Sequence, residues 1–300
     1  MNWFLIALIA PFLWALSNHI DKYLLNKYFK DGGAGALVIF SALIGVPLLP
    51  IIYLLDNTVF SVTPLLASLV AINGSLFVIG LIPYMHALDE DETSIVTPLY
   101  QTIPIFGYVL AFFFLGETLT TIQIVASLLI ISGAILLSLD LDKKFKLKKK
   151  VFWLMMLSAF LIALNSFFFK FIAIKESFLL TSFWEYIGFS ILSIILLVFV
   201  KNYRAQFFNV LKVNTTGVLT INIFNEIINI VAKIIINFTT LLAPLALVWV
   251  VNGIQPLFVL VMGIIITLFF PRLGKESLHK KHLIQKIISI LIMIIGISLL

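Results

Sequence analysis

Residues 140–150 read Asp-Leu-Asp-Lys-Lys-Phe-Lys-Leu-Lys-Lys-Lys, six lysines in eleven positions at the midpoint of a 300-residue chain. The stretch is a solvated linker, and what flanks it decides the fold. A membrane-crossing helix needs about 20 mostly apolar residues. Five such runs precede the linker (3–20, 34–54, 63–88, 93–115, 119–139) and five follow it (151–173, 179–200, 214–238, 244–270, 282–300). They are continuously apolar and not alternating, which argues against a β-barrel. Hydrophobic residues make up 62% of the chain and charged residues 11%, with a mean hydropathy of +1.16. A soluble domain carries roughly 25% charged residues, so a water-soluble monomer, a disordered chain and a collagen-like chain are excluded. The expected fold is an all-α, multi-pass integral membrane protein with short loops. The first run lacks a basic leader and a small-residue cleavage site and reads as a retained helix.

A basic linker between equal halves invites their comparison. Ala15-Leu16-Ser17-Asn18 with Lys22 answers to Ala163-Leu164-Asn165-Ser166 with Lys170. Leu37, Phe40, Ile44 and Gly45 answer to Leu180, Phe183, Ile187 and Gly188, and Pro104, Phe106 and Val109 to Pro256, Phe258 and Val261. The three sets occur in the same order. Five helices per half is an odd number, so the second half enters the membrane in the opposite sense. The expected architecture is ten transmembrane helices as two inverted five-helix repeats, residues 1–139 and 151–300 around the 140–150 linker, enclosing a site near the midplane.

Ser94-Ile-Val-Thr-Pro98-Leu-Tyr-Gln101-Thr-Ile-Pro104, followed by Leu110-Ala-Phe-Phe-Phe-Leu-Gly116-Glu117, resembles the EamA-type signature of the drug/metabolite transporter superfamily. Trp14, Ser17 and Asn18 in the first helix resemble that family's opening. The resemblance covers all ten runs, but Gly274-Lys275-Glu276 lies later than a strict repeat of Gly116-Glu117. It implies export or exchange of small metabolites, and termini on the cytoplasmic side. The basic residues point the other way. Sixteen of the 20 lie in loops 1, 5, 7 and 9, which the positive-inside rule makes cytoplasmic, leaving both termini outside. Topology loops also explain the net charge of +6 without a nucleic-acid partner.

Charges within a bilayer are costly unless paired or hydrated, and so mark functional candidates. Lys170, Glu185, Glu226 and Lys233 stand within runs, although Lys170 and Lys286 lie near enough to helix ends to snorkel. In the eighth run Asn222, Asn225, Glu226, Asn229 and Lys233 recur at i, i+3, i+4, i+7 and i+11, one polar stripe over three turns. The stripe lines a cavity or glues helices through asparagine hydrogen bonds and a Glu–Lys pair. Trp249, Asn252 and Gln255 precede Pro256 in the ninth run, Tyr100 and Gln101 precede Pro104 in the fourth, and Trp14 and Asn18 lie a turn apart in the first. The expected substrate-binding set is Trp14, Asn18, Tyr100, Gln101, Asn222, Asn225, Glu226, Asn229, Lys233, Trp249 and Asn252. Glu185 and Glu226 are coupling candidates, since burial disfavours a carboxylate's charged form. Glu185 alternatively pairs with Lys170. His86 with Asp89-Glu90-Asp91-Glu92 reads as a solvated turn, with Asp91 or Thr93 capping the fourth helix, and Glu117 takes a structural role at a helix end.

The chain has no cysteine, which excludes a disulfide scaffold, a Cys-ligated metal and a thiol nucleophile. It also lacks a G-x-x-x-x-G-K-[ST] loop, so ATP is not its energy source. No cofactor and no metal are expected. The leading reading is a secondary transporter of a small polar or amphipathic metabolite such as an amino acid, working by alternating access in the plasma (inner) membrane. Its partners are the solute, the lipid bilayer and a candidate coupling proton, and it is a monomer or a homodimer. A proton-coupled antiporter of cationic drugs is the alternative. Small multidrug members of the superfamily carry a lone acid in the first helix, and here none precedes Asp21. An integral membrane transferase needs paired carboxylates or a His/Asp base at the interface, and no inward D-x-x-x-D occurs.

Overall fold

Helices form over the apolar runs because in hydrocarbon each backbone N–H and C=O must be satisfied within its own segment. The computed structural model describes residues 3–28, 34–43, 45–90, 96–139, 148–213, 216–269 and 280–300. Their helices are α1 (Trp3–Tyr28), α2 (Ala34–Leu43), α3 (Gly45–Leu55), α4 (Pro64–Glu90), α5 (Ile103–Leu115), α6 (Thr121–Ser138), α7 (Lys149–Ala173), α8 (Phe178–Phe199), α9 (Lys201–Val213), α10 (Gly217–Leu242), α11 (Leu245–Asn252), α12 (Gln255–Phe269) and α13 (Lys280–Leu299). Short 3-10 turns at Asn57–Phe60 and Thr97–Thr102 precede α4 and α5. No strand occurs among the described residues.

Among the described residues, seven segments are long and apolar enough to cross a membrane, and three shorter ones, Leu99–Leu115, Thr121–Leu137 and Ile284–Leu299, account for the remaining runs. Large apolar side chains such as Leu54, Phe113, Phe199 and Phe269 point outward. A soluble protein would not present so broad an apolar surface, which here faces lipid.

Two features depart from plain spans joined by short loops. The connection after α8 holds the 13-residue helix α9. Its Phe207 is buried against Phe40 of α2, with ring centroids 4.7 Å apart, and Gln206 Oε1 accepts from Gly35 N at 2.9 Å. The fourth and ninth runs are both broken. Each restarts with proline as its second residue, Pro104 in α5 and Pro256 in α12, where proline's missing N–H costs the new helix nothing. The breaks face one another: a Cβ on Gly253 would lie 2.6 Å from Gln101 Oε1.

Packing follows the order of the runs. Run one (α1) lies on run eight (α10) and run nine (α11, α12), and run six (α7) lies on run three (α4) and run four (α5). Run two meets run seven through α2 and α3 against α8, run four meets run nine, and run five (α6) meets run ten (α13). Exchanging each run with the one five places on leaves these pairings unchanged. Glycines allow the closest approaches. A Cβ on Gly188 of α8 would stand 1.9 Å from Ala71 O of α4, and one on Gly74 of α4 would stand 2.0 Å from Glu185 O.

Residues 91–95 and 270–279 lie outside the described residues, and with them the proposed cap at Asp91 or Thr93 and the Gly274-Lys275-Glu276 segment. His86 is exposed at the end of α4. Glu90 bonds Lys150 across the gap between α4 and α7, and that ammonium holds its carboxyl below the usual value. Asp56 caps the first 3-10 turn, and hydrogen bonds from Thr58 and Ser177 lower its carboxyl likewise.

Candidate functional site

Buried polar groups within a membrane protein must be paired, hydrated or met by a solute. Three polar clusters lie along α10. Near its end lies a staple built on the Gly116-Glu117 pair. Gly116 ends α5 in the left-handed conformation, φ 67°, which glycine adopts without a Cβ penalty. Glu117 is thereby turned back over α11, where its Oε2 accepts from Leu245 N at 2.8 Å. Its other oxygen pairs with Lys170, whose Nζ also donates to Ala243 O at 2.7 Å. Lys170 is thus tied to Glu117 and not to Glu185, and Glu117 has the helix-end role its position suggests.

The second cluster surrounds Glu185, which is fully buried. Lys233 Nζ lies 3.4 Å from Glu185 Oε1 and donates to Asn165 Oδ1 at 2.8 Å and Asn237 Oδ1 at 3.1 Å. Asn165 Nδ2 and Asn237 Nδ2 donate to the two Glu185 oxygens at 3.0 and 2.8 Å. Asn165 and Asn73 of α4 further exchange amide-to-carbonyl bonds at 2.9 and 3.2 Å. Four helices are joined here, and both charges are compensated. Lys233 therefore pairs with Glu185 from α8, not with Glu226 two turns away on its own helix.

The third cluster is open. Asn225 Nδ2 donates to Asp21 Oδ1 of α1 at 2.6 Å, and Ser41 Oγ of α2 donates to Glu226 Oε1 at 2.8 Å. Asn225 Oδ1, Glu226 Oε2 and both amide atoms of Asn222 are buried with no protein partner. Asn229 continues the face, half-buried. The aromatic candidates meet one another, and Trp14 also packs with Ala232 and Ile236 of α10. Trp14 stacks on Trp249, centroids 6.4 Å apart and planes 18° apart, and Tyr100 packs in the same cluster. Tyr100 also lies against Tyr84 at 4.7 Å, and its hydroxyl is 3.4 Å from Ser158 Oγ. Trp249 Nε1 and Asn252 Oδ1 have no partner either. Gln101 is buried against the break at Gly253, whereas Asn18 is exposed.

Sequence reasoning did not single out Asp21, Ser41, Asn73, Asn165 or Asn237 as site residues. Asn237 was accessible, since it extends the stripe by one more turn after Lys233. Asp21 looked like the end of the first run, but α1 continues to Tyr28.

Residues 1–139 match the model of the EamA-like transporter family. Over 145 residues, 44% of this chain, the sequence is 31% identical to a probable amino-acid metabolite efflux pump of Salmonella typhimurium. The match covers 47% of that pump, so the chain spans about half the length of this relative. It is also 35% identical over 98 residues, 33% of the chain, to an uncharacterized protein of Methanocaldococcus jannaschii, of which 72% is covered. One solved crystal structure aligns with 99% of this chain and 96% of its own, at 14% identity and a TM-score of 0.65, which is a likeness of fold.

Proposed function

The chain belongs to the EamA-like transporter family and is a multi-pass membrane transporter, and on that premise we propose that it exports or exchanges a small amphipathic zwitterion of the amino-acid class. The observation that carries this reading is the set of buried, unpartnered polar atoms on Asn222, Asn225, Glu226, Trp249 and Asn252. Amide, carboxylate and indole groups, together with the stacked Trp14 and Trp249, suit a solute with an ammonium group, a carboxylate and an apolar body. In hydrocarbon, such groups are expensive to leave unmet, and a passing solute meets them.

Alternating access follows from two inverted repeats, residues 1–139 and 151–300, rocking about a site between them. The exchange of packing pairs between halves and the equivalent restarts at Pro104 and Pro256 support that arrangement. The 140–150 linker is assigned to the cytoplasm and the protein to the plasma membrane, because each lysine near an anionic inner leaflet gains about 1 kcal/mol. The name of the Salmonella relative supports amino acids as the solute class. The two acids Asp21 and Glu226 keep the cationic-drug antiporter as a second reading.

A thermal-shift screen of the purified protein against amino acids, cationic dyes, nucleosides and sugar phosphates tests the choice. Stabilisation by amino acids alone is expected. Stabilisation by lipophilic cations and not by amino acids would favour the antiporter.

A further inference from the structure

Two of the three buried polar clusters balance their charges, Glu117 with Lys170 and Glu185 with Lys233. The cluster at the interface of α1, α2 and α10 does not. Asp21 and Glu226 are met by the neutral donors Asn225, Ser41 and, at 3.5 Å, Ser17, and Asn229 also lies within hydrogen-bonding reach of Glu226. Among the described residues no lysine or arginine pairs with either acid. Glu226 is buried within an apolar span and Asp21 stands half-buried at the end of another, and carboxylates so placed are stabilised by a positive charge or a proton.

A second observation points to a ligand. Asn222 is only 1% exposed and stands one turn before Glu226 on the same helical face. Both of its amide atoms lack a partner, as do Asn225 Oδ1 and Glu226 Oε2. Oxygen acceptors thus gather where negative charge is uncompensated. Hard cations take such oxygens. Among the described residues no three acids or histidines group to hold a metal ion, and two adjacent carboxylates that share one proton leave a single negative charge, which one monovalent cation or a second proton balances.

We propose that Asp21, Ser41, Asn225 and Glu226 form a binding site for one dehydrated monovalent cation, a sodium ion or a proton, whose exchange drives the solute. The coupling rests on the transport reading, but the binding does not. The site lies beneath α9: Val210 packs with Leu24 and Ile221, neighbours of Asp21 and Asn222 along their helices. Access from this end therefore requires α9 to move.

Among the described residues, the titratable groups around the pair are few. Tyr84 of α4 is near enough to feel the charge of Asp21, and α2 contributes the hydroxyl of Ser41. On α10, Lys233 is occupied by Glu185, and on α7, Lys170 by Glu117. His19 of α1 lies 3.0 Å from Val259 O of α12. On α9, Arg204 donates to Val198 O and Lys212 is exposed.

The test is thermal unfolding of the purified full chain in sodium, potassium or choline chloride at constant ionic strength, from mildly acidic to mildly alkaline pH. A sodium site raises the Tm several degrees over choline at alkaline pH, saturably. A proton site ignores sodium and gains the same on acidification. In the Asp21→Asn/Glu226→Gln double variant both responses vanish and the Tm in choline equals or exceeds the wild type's, which loss of a structural contact would not produce. Ser41→Ala should shift the cation midpoint several-fold with little change in fold, and Glu90→Gln should leave it unmoved. A wild type insensitive to sodium, potassium and pH alike, or a double variant that keeps the response, overturns the proposal. Absence of amino-acid transport with the cation response intact would instead overturn the transport reading alone.

Discussion

Asn222 offers the most discriminating single substitution. Both of its amide atoms are buried without a protein partner, so Asn222→Leu removes no internal hydrogen bond. Relieving such a group should gain about 1–3 kcal/mol of stability, read as a higher Tm. If the amide meets solute, binding weakens by about 0.5–1.5 kcal/mol, read as a higher transport KM. A lowered Tm with an unchanged KM would make the stripe interhelical glue. Glu185 and Lys233 behave oppositely. Glu185→Gln leaves the Lys233 ammonium without its counter-charge and should cost about 3–5 kcal/mol, whereas Glu185→Leu with Lys233→Met should recover most of it. The recovered protein is expected to transport with the wild type's pH profile, and loss of that profile would give Glu185 a coupling role. The stripe itself was legible because 3.6-residue periodicity is written in the order of residues. Its partners were not. Lys233 reaches Glu185 across helices, and no spacing along one chain segment states which helix will lie opposite.

Close approach decides stability among the elements. The Gly188→Ala methyl group would sit 1.9 Å from Ala71 O, so α4 and α8 must separate, at about 1–3 kcal/mol. A Cβ at Gly217 meets nothing within 4 Å, and its alanine variant should stay within about 0.5 kcal/mol. Equal Tm values for the two purified variants would contradict the packing described. Span lengths were legible because apolar runs must match bilayer thickness. The helix α9 was not, since Tyr203, Phe207 and Val210 are interleaved with Lys201, Arg204 and Lys212 in a segment too polar and short to register as a span. The prolines marked both broken runs, but that Gln101 faces Gly253 depends on how runs four and nine dock.

At the scale of the whole molecule, the ordered matches between halves were legible in sequence, but which runs lie on one another was not: run one packs on run eight and run six on run three. These two interfaces differ. Asn73 and Asn165 close the run three–run six interface by reciprocal bonds, while at the run one–run eight interface atoms of Asn222, Asn225 and Glu226 are left without a partner. The open interface is where solute and counter-ion should act during rocking. Counterflow in proteoliposomes tests this most directly: vesicles preloaded with unlabelled amino acid, diluted into trace radiolabelled amino acid, with the recovered label analysed for chemical change. The expected result is transient accumulation of unaltered label that requires the internal amino acid and falls in Asn222→Leu. Label that fails to accumulate above empty vesicles for every amino acid, with folded protein in the bilayer, would contradict it.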